Sequence, residues 1–244
     1  MKQTLVAAFI AANNDLITVD ALAEELWGTT PPLKMENALQ AQISRIRRVL
    51  TAMEPDRREP RLVTSVSGYR FSVAWTEVDA MSFLHTVDVI RSRPRVDPYR
   101  DIADLRSALS LWRGPVFGGL TGGPLCRTTV ARYDEARTTA HELLFDLELR
   151  VGNHARIVPE LTELFAQNPM REQLCSLLMV ALYRSGRQIE ALEVYRELRK
   201  RIAEELGIEP SPILRRFEKA ILDHDPLLLY EDLADTADEQ RYAS

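Results

Sequence analysis

Hydrophobic residues recur at helical spacing through the first fifty positions of the chain and predict three consecutive helices. The residues that form the three apolar stripes are Leu5, Phe9 and Ala12, then Val19, Leu22, Leu26 and Trp27, then Leu39, Ile43, Ile46 and Leu50. Thr18 is a good N-cap for the second helix, and Gly28 is suited to end it. The stretch "TTPP" separates the second helix from the third.

The pattern changes from helical spacing to alternation in "RLVTSVSGYRFSV", which is also rich in β-forming residues. Ser67-Gly68 is a turn signal, and Tyr69, Phe71 and Val73 alternate with polar residues. We therefore predict a β-hairpin after the third helix. Three helices followed by a hairpin is the order of the winged helix, whose third helix enters the major groove of DNA.

From Asp79 onward the pattern is helical again, and it repeats. Gly152 and Gly186 lie 34 residues apart, as do Leu161 and Tyr195, and 34 residues is the tetratricopeptide period. The predicted fold is mainly α: a winged helix-turn-helix of three helices and a hairpin over residues 1–76, and an all-α tetratricopeptide-like domain over 77–226. An acidic, frayed tail is predicted over 227–244.

A glycine-rich segment lies within the helical part, where residues 113–124 contain five of the ten glycines. No Gly-Lys-Ser/Thr follows, so the segment does not predict a phosphate-binding loop. We expect it to be a loop on the surface.

Composition argues against several classes of protein. The chain is 45% hydrophobic and 27% charged, as soluble globular proteins are, and no apolar run approaches a membrane span. We therefore expect a cytoplasmic protein with no membrane partner. The two cysteines and four histidines are scattered singly, and no nucleophile and base pair or metal spacing emerges. These patterns predict neither an enzyme nor a cofactor.

Charge is distributed unevenly along the chain. The net charge is −5, yet residues 34–70 carry eight Lys/Arg and four Asp/Glu, a local +4. Arg45, Arg47 and Arg48 lie on the third helix with no acid among them. A run of this kind can simply be a solvated surface, or it can bind a polyanion such as nucleic acid.

The combination of "LWG", "NALQAQISRIRRVL", "GYRF" and "ALYRSGRQIEALEVYRELRKRIAEELGIEPSPILRRFEKAIL" resembles the Streptomyces antibiotic regulatory protein family, from about Lys2 to Pro226. The last stretch looks like the bacterial transcriptional activation domain. The resemblance implies an activator of a secondary-metabolite, or antibiotic, biosynthetic cluster. Such a protein binds double-stranded promoter DNA at direct repeats as a head-to-tail homodimer and recruits RNA polymerase through its sigma factor.

The resemblance also implies roles for particular residues. Base contacts fall on Ala41, Ser44 and Arg45. Phosphate contacts fall on Trp27, Asn37, Gln40, Arg47 and Arg48, and on Arg61 and Arg70 beside the hairpin. By position, the exposed loop from Gly28 to Lys34 is a candidate polymerase contact through Thr29, Thr30 and Lys34.

The sequence departs from the family in two places. Family members usually begin with a small N-terminal sheet, whereas this sequence begins within the first predicted helix, so a winged helix without that sheet is expected. Ser65 stands where related wings carry an arginine. A tetratricopeptide scaffold with a winged-helix remnant that does not bind DNA therefore remains the alternative. The operator, the regulated cluster, the oligomer in solution and any small-molecule ligand of the helical domain are left open.

Overall fold

A computed structural model describes residues 1–92, 96–226 and 228. The chain forms two compact units. The first unit comprises Met1–Arg91 and Ser107–Thr138, and the second comprises Ser92–Arg106 and the chain from Thr139 onward.

The first unit begins with three helices and a small sheet. Its elements are α1 (Lys2–Ala11), β1 (Leu16–Thr18), α2 (Val19–Trp27), α3 (Met35–Met53), β2 (Leu62–Ser65), β3 (Gly68–Phe71) and α4 (Asp79–Ser92). The three strands are antiparallel in the order β1-β3-β2. The predicted mainly α fold, with a winged helix ahead of a helical domain, is confirmed, and the predicted hairpin is β2 and β3.

The sheet contains one strand that the sequence did not predict. In β1, Ile17 pairs with Tyr69 of β3, and Gly68 lies where a Cβ would come within 1.9 Å of the Ile17 carbonyl oxygen. Gly68 is therefore needed for the close approach of β1 and β3. The hairpin turn itself is formed by Val66 and Ser67 rather than by Ser67-Gly68.

Apolar residues from all three helices and the hairpin form one core in the first unit. The predicted stripe of α3 is buried through Leu39, Ile43 and Ile46. Thr18 caps α2 as predicted, because its Oγ1 accepts a hydrogen bond from the Ala21 amide at 3.2 Å. These contacts fix α2 and α3 against each other and leave one side of α3 exposed.

The glycine-rich segment is a loop but does not lie simply on the surface. It contains a 3-10 turn at Val116–Gly119, and Val116 is buried. Phe117 and Leu120 pack against the core of the first unit. The expectation of a plain surface loop was wrong, because the loop carries apolar residues that the α1–α3 core can bury.

The second unit is formed by helix pairs. The helices that follow the loop, together with the one before it, are α5 (Pro98–Ser110), α6 (Pro124–Arg150), α7 (His154–Gln167), α8 (Glu172–Arg184), α9 (Gln188–Leu206) and α10 (Pro212–Leu222). The end of α5 and the first half of α6 belong to the first unit. Gly152 lies between α6 and α7, and Gly186 lies between α8 and α9. Their φ angles are 82° and 75°. Leu161 and Tyr195 are both buried, as expected of equivalent positions in a helical repeat.

The boundary between residues 76 and 77 stays a prediction, and contacts group the chain into two units that each combine separate segments. Residues 107–138 group with the winged-helix segment, since the glycine-rich loop and the start of α6 pack on its core. Most of the predicted acidic tail, residues 227 and 229–244, lies outside the described residues. Leu228 is described and is buried.

Candidate nucleic-acid interface

The exposed side of α3 presents the small, amide-bearing and cationic side chains that the sequence placed there. The exposed residues on this side are Asn37, Gln40, Ala41, Ser44, Arg45 and Arg48. Since Leu39, Ile43 and Ile46 anchor the opposite side in the core, the orientation of this surface is fixed by packing. We call these six residues the α3 surface.

Arg45 and Arg48 are the cations of the α3 surface. Neither guanidinium meets an acceptor or a carboxylate among the described residues. Both are therefore free to bind an external anion. Ala41 and Ser44, which precede the two arginines on this side of α3, are short enough to let a partner approach the helix backbone closely.

Arg47 differs from its two neighbours because it is used inside the fold. Its Nε donates to the Leu62 carbonyl at 3.0 Å, and its Nη2 donates to Thr64 Oγ1 at 2.7 Å. Its guanidinium also lies 6.0 Å from the centre of the Tyr69 ring. Arg47 thus holds the hairpin against α3, and two of its five N–H donors are used in that contact.

Arg61 is also committed internally. It forms ion pairs at 2.5 Å with both Glu54 and Glu77, and only 10% of its side chain is exposed. The hydrogen bonds from Arg61, followed by one from the Ala74 amide, lower the pKa of Glu77 to about 2. Arg61 therefore links the end of α3 to the turn before α4 and is poorly placed to contact phosphate.

The tip of the hairpin carries no cation. Ser65 and Ser67 are exposed, and Val66 between them is fully exposed. Arg70 of β3 is exposed, and no described residue pairs with it. Of the two arginines predicted beside the wing, only Arg70 has a free guanidinium.

The loop between α2 and α3 is exposed, as expected of a binding loop. Thr29, Thr30 and Lys34 are all exposed, whereas Trp27 is half-buried and its carbonyl accepts a hydrogen bond from Thr30 Oγ1 at 3.3 Å. Leu33 is fully exposed, and the sequence reasoning did not select it. An apolar residue directly after two prolines in a polar loop was the signal that could have identified it.

Groups that could support other chemistry are few in the described part of the chain. There, no group of three or more His, Cys, Asp or Glu residues is placed to hold a metal ion. Burial raises the pKa of both thiols, Cys126 and Cys175, to about 12, so both are protonated and weakly nucleophilic at neutral pH. None of the described helices is long and apolar enough to cross a membrane.

Comparison with known proteins places this arrangement in a family. The model of the bacterial transcriptional activator domain matches residues 78–222. Transcriptional regulator RedD of Streptomyces coelicolor is 40% identical over 93% of this chain and 65% of its own length. Regulatory protein DnrI of Streptomyces peucetius is 38% identical over 86% of this chain and 79% of its own length. The chain therefore spans slightly less than two thirds of RedD.

A solved structure is similar over nearly the whole chain. Mycobacterium tuberculosis EmbR, in complex with a low-affinity phosphopeptide, superimposes with a TM-score of 0.87 and 28% identity. The match covers 99% of this chain and 63% of that chain. On the family match and these relatives, the chain belongs to the Streptomyces antibiotic regulatory protein family of transcriptional activators.

Proposed function

We propose that this activator binds double-stranded promoter DNA by inserting α3 into the major groove. The observation that carries the proposal is the α3 surface: a rigidly packed helix on which two free arginines follow the short side chains of Ala41 and Ser44. Arginine can bond both acceptors of a guanine edge, and such a contact contributes about 1–3 kcal/mol of discrimination. Arg45, Ala41 and Ser44 are assigned to base edges.

Affinity for DNA would come from residues around the three that are assigned to base edges. Asn37, Gln40 and Arg48 at the margins of the α3 surface, with Arg70 on the hairpin, are assigned to phosphates. Trp27 remains a candidate through its half-exposed ring. For Arg47 and Arg61 the resemblance implies phosphate contacts, but we assign them mainly to holding the hairpin and the end of α3 in place, because both already bind partners within the fold.

The proposed activation step uses the loop between α2 and α3. Its exposed residues Thr29, Thr30 and Lys34 adjoin the proposed DNA-binding helix without belonging to the α3 surface. We assign them, together with Leu33, to contact with RNA polymerase and its sigma factor. The fully exposed Leu33 side chain can make apolar contacts with a protein partner but offers no hydrogen-bond donor to a phosphate backbone.

Direct repeats in the promoter would be occupied by two copies of the chain in head-to-tail order. The target is an operator in a secondary-metabolite cluster of a bacterial cytoplasm, as the family membership suggests. Two adjacent copies would double the number of phosphate contacts and so increase the salt dependence of binding.

Ser44→Asp tests the proposal, because it places a carboxylate at the centre of the α3 surface without touching the core. Fluorescence anisotropy should be measured with a duplex that carries the direct repeat of a promoter near the gene for this chain. The unmodified chain should bind this duplex, and Ser44→Asp should bind it with an affinity at least a hundredfold lower. Thr128→Asp, an exposed position on α6, is the matched control and should bind normally. Equal DNA affinity of Ser44→Asp and the unmodified chain would show that α3 does not contact DNA. It would favour the alternative of a tetratricopeptide scaffold that does not bind DNA.

A further inference from the structure

A buried acid connects α2 to the long helix α6. Glu25 is only 6% exposed, although its neighbour Glu24 is exposed. The Glu25 carboxylate accepts hydrogen bonds from the Leu125 amide at 2.5 Å and from the Cys126 amide at 3.3 Å. These two amides belong to the first turn of α6, where backbone donors have no partner within the helix.

The interaction is favourable for two reasons. A carboxylate at a helix N-terminus is stabilised by the helix dipole, and hydrogen bonds from amides to an ionised group are stronger than those to a neutral acceptor. Separation of α2 from α6 would leave Glu25 and two amides without these partners. Water would then solvate these groups, so the contact is favoured by the difference between its charge-assisted hydrogen bonds and those made to water.

Two glycines make the approach of α6 possible. A Cβ on Gly123 would lie 2.5 Å from the Glu25 Cα, and a Cβ on Gly122 would lie 2.4 Å from the Cys126 Cβ. Backbone atoms cannot yield as a flexible side chain can, so any larger residue at position 123 would push α6 away from α2. The glycines that the sequence suggested were ordinary loop residues are therefore part of this contact.

We propose that Glu25 is a positioning residue whose carboxylate latches α6 to α2 and thereby couples promoter-bound α2 and α3 to the helical segment that matches the bacterial transcriptional activator domain. The inference rests on the proposed function for its second half. We call Glu25, Gly122, Gly123 and the Leu125 and Cys126 amides the latch. The latch lies within the first unit, while α6 itself extends to Arg150.

The position of α2 determines which parts of the chain a change at the latch would affect. α2 ends at Trp27, directly before the loop assigned to polymerase, and α3 follows that loop. A change in how α6 meets α2 would therefore reach both the loop and the DNA-binding helix through rigid secondary structure. An exposed acid such as Glu24 has no such contact.

The two cysteines allow the latch to be tested without any assay of function. Cys126 lies at the latch and Cys175 lies in the core of the second unit, and both are completely buried. In Glu25→Gln, labelling by Ellman's reagent, followed by mass spectrometry of peptides, should be at least tenfold faster at Cys126 and unchanged at Cys175. Glu24→Gln should label like the unmodified chain.

Gly123→Ala perturbs the same contact from the other side and should reproduce selective labelling of Cys126. Gly114→Ala is its matched control, because a Cβ there would meet nothing within 4 Å. Unchanged labelling of Cys126 in both Glu25→Gln and Gly123→Ala would overturn the latch. Equal acceleration at Cys126 and Cys175 would also overturn it, because that result indicates general loss of stability.

The coupling is tested by transcription in vitro at DNA-saturating protein concentration. Glu25→Gln should lower the transcript yield at least fivefold while promoter affinity changes less than threefold. Full activity in a variant with selectively exposed Cys126, or a parallel loss of affinity and activity, would overturn the coupling. Failure of the unmodified chain to bind the promoter would instead refute the proposed function and its coupling, while the labelling result still decides the latch.

Discussion

Arginines in the basic segment 34–70 have different surroundings, and these surroundings assign them different roles. Arg45 and Arg48 have free guanidinium groups, whereas Arg47 binds Leu62 and Thr64, and Arg61 binds two glutamates. The committed arginines stabilise the platform that presents the free ones. Substitution of a free arginine should change binding with little change in stability, and substitution of a committed arginine should change stability first.

The ion pair between Arg61 and Glu77 predicts that the stability of the folded chain decreases at low pH. Arg61 holds the pKa of Glu77 at about 2, below its ordinary value of 4.5. The contribution of a carboxylate with a lowered pKa is present above its unfolded-state pKa and is lost as the pH falls through the folded-state value. Glu77→Gln should therefore lower the thermal midpoint at pH 7, and the difference from the unmodified chain should shrink between about pH 4.5 and 2.

Circular dichroism melts from pH 2 to pH 7 would measure this difference. Glu163→Gln, which alters an exposed acid within α7, is the control and should leave the thermal midpoint unchanged at every pH. A Glu77→Gln effect that stays constant across the pH range would show that the ion pair is not its cause.

Sequence alone could not sort these residues by role. Arg45, Arg47 and Arg48 occupy neighbouring positions with the same charge, and in the described part of the chain only Arg47 of the three has side-chain hydrogen-bond partners, which come from β2, 15 to 17 residues away. Glu25 stands beside the exposed Glu24 in "AEEL", and its partners lie 100 and 101 residues further along the chain. Contacts over such separations depend on how the elements pack and leave no periodic signal.

Helices and strands could be predicted where they bury a regular stripe. The spacing of Leu39, Ile43 and Ile46 predicted both the extent and the buried side of α3, and burial confirms that side. β1 was missed because its three residues, Leu16–Thr18, are too short for alternation to be recognised. The packing of the glycine-rich loop was missed because Phe117 and Leu120 follow no period.

The loop between α2 and α3 carries a prediction about activation. Replacement of Thr29 and Thr30 by glutamate should cut transcription in vitro at least fivefold while promoter affinity changes less than twofold, since the loop is assigned to polymerase. Transcript yield and DNA binding should be measured on the same preparation, with Thr128→Glu as an exposed control on α6. Parallel loss of transcription and binding would contradict the assignment of this loop.

At the scale of the whole molecule, the change in hydrophobic spacing along the sequence and the grouping of residues by contacts divide the chain at different points. The switch from alternation to helical spacing near Ala74–Asp79 agrees with the start of the family match at residue 78. Residues 107–138 nevertheless group with the winged-helix segment. A fragment that begins at residue 77 would retain Phe117, Leu120 and Leu125 but lose the core against which they pack.

The end of the chain offers a prediction about truncation. Leu228 is buried, and its carbonyl accepts a hydrogen bond from Arg184 Nε at 2.7 Å. Deletion of residues 227–244 should therefore lower the free energy of unfolding by about 1.5–3 kcal/mol, the cost of losing a buried leucine. Deletion of residues 229–244 should leave stability and DNA affinity unchanged, because that acidic segment has little apolar content.

Chemical denaturation of the two truncated chains would measure the difference. Identical midpoints for the two deletions would show that Leu228 contributes nothing to the core. A loss of DNA affinity on removing residues 229–244 alone would show that the acidic segment supports binding.

DNA binding by the α3 surface can be decided by titrating Arg45→Ala and Arg48→Ala against cognate and random duplexes at several salt concentrations. Arg45→Ala should cost about 1–3 kcal/mol on the direct repeat, with little effect on random DNA. Arg48→Ala should weaken both duplexes and lower the salt slope by about one unit, and Arg196→Ala, an exposed position on α9, should change neither. Equal losses on both duplexes for both α3 variants would reduce the α3 surface to a nonspecific basic patch, and unchanged binding by both would contradict its role in DNA recognition.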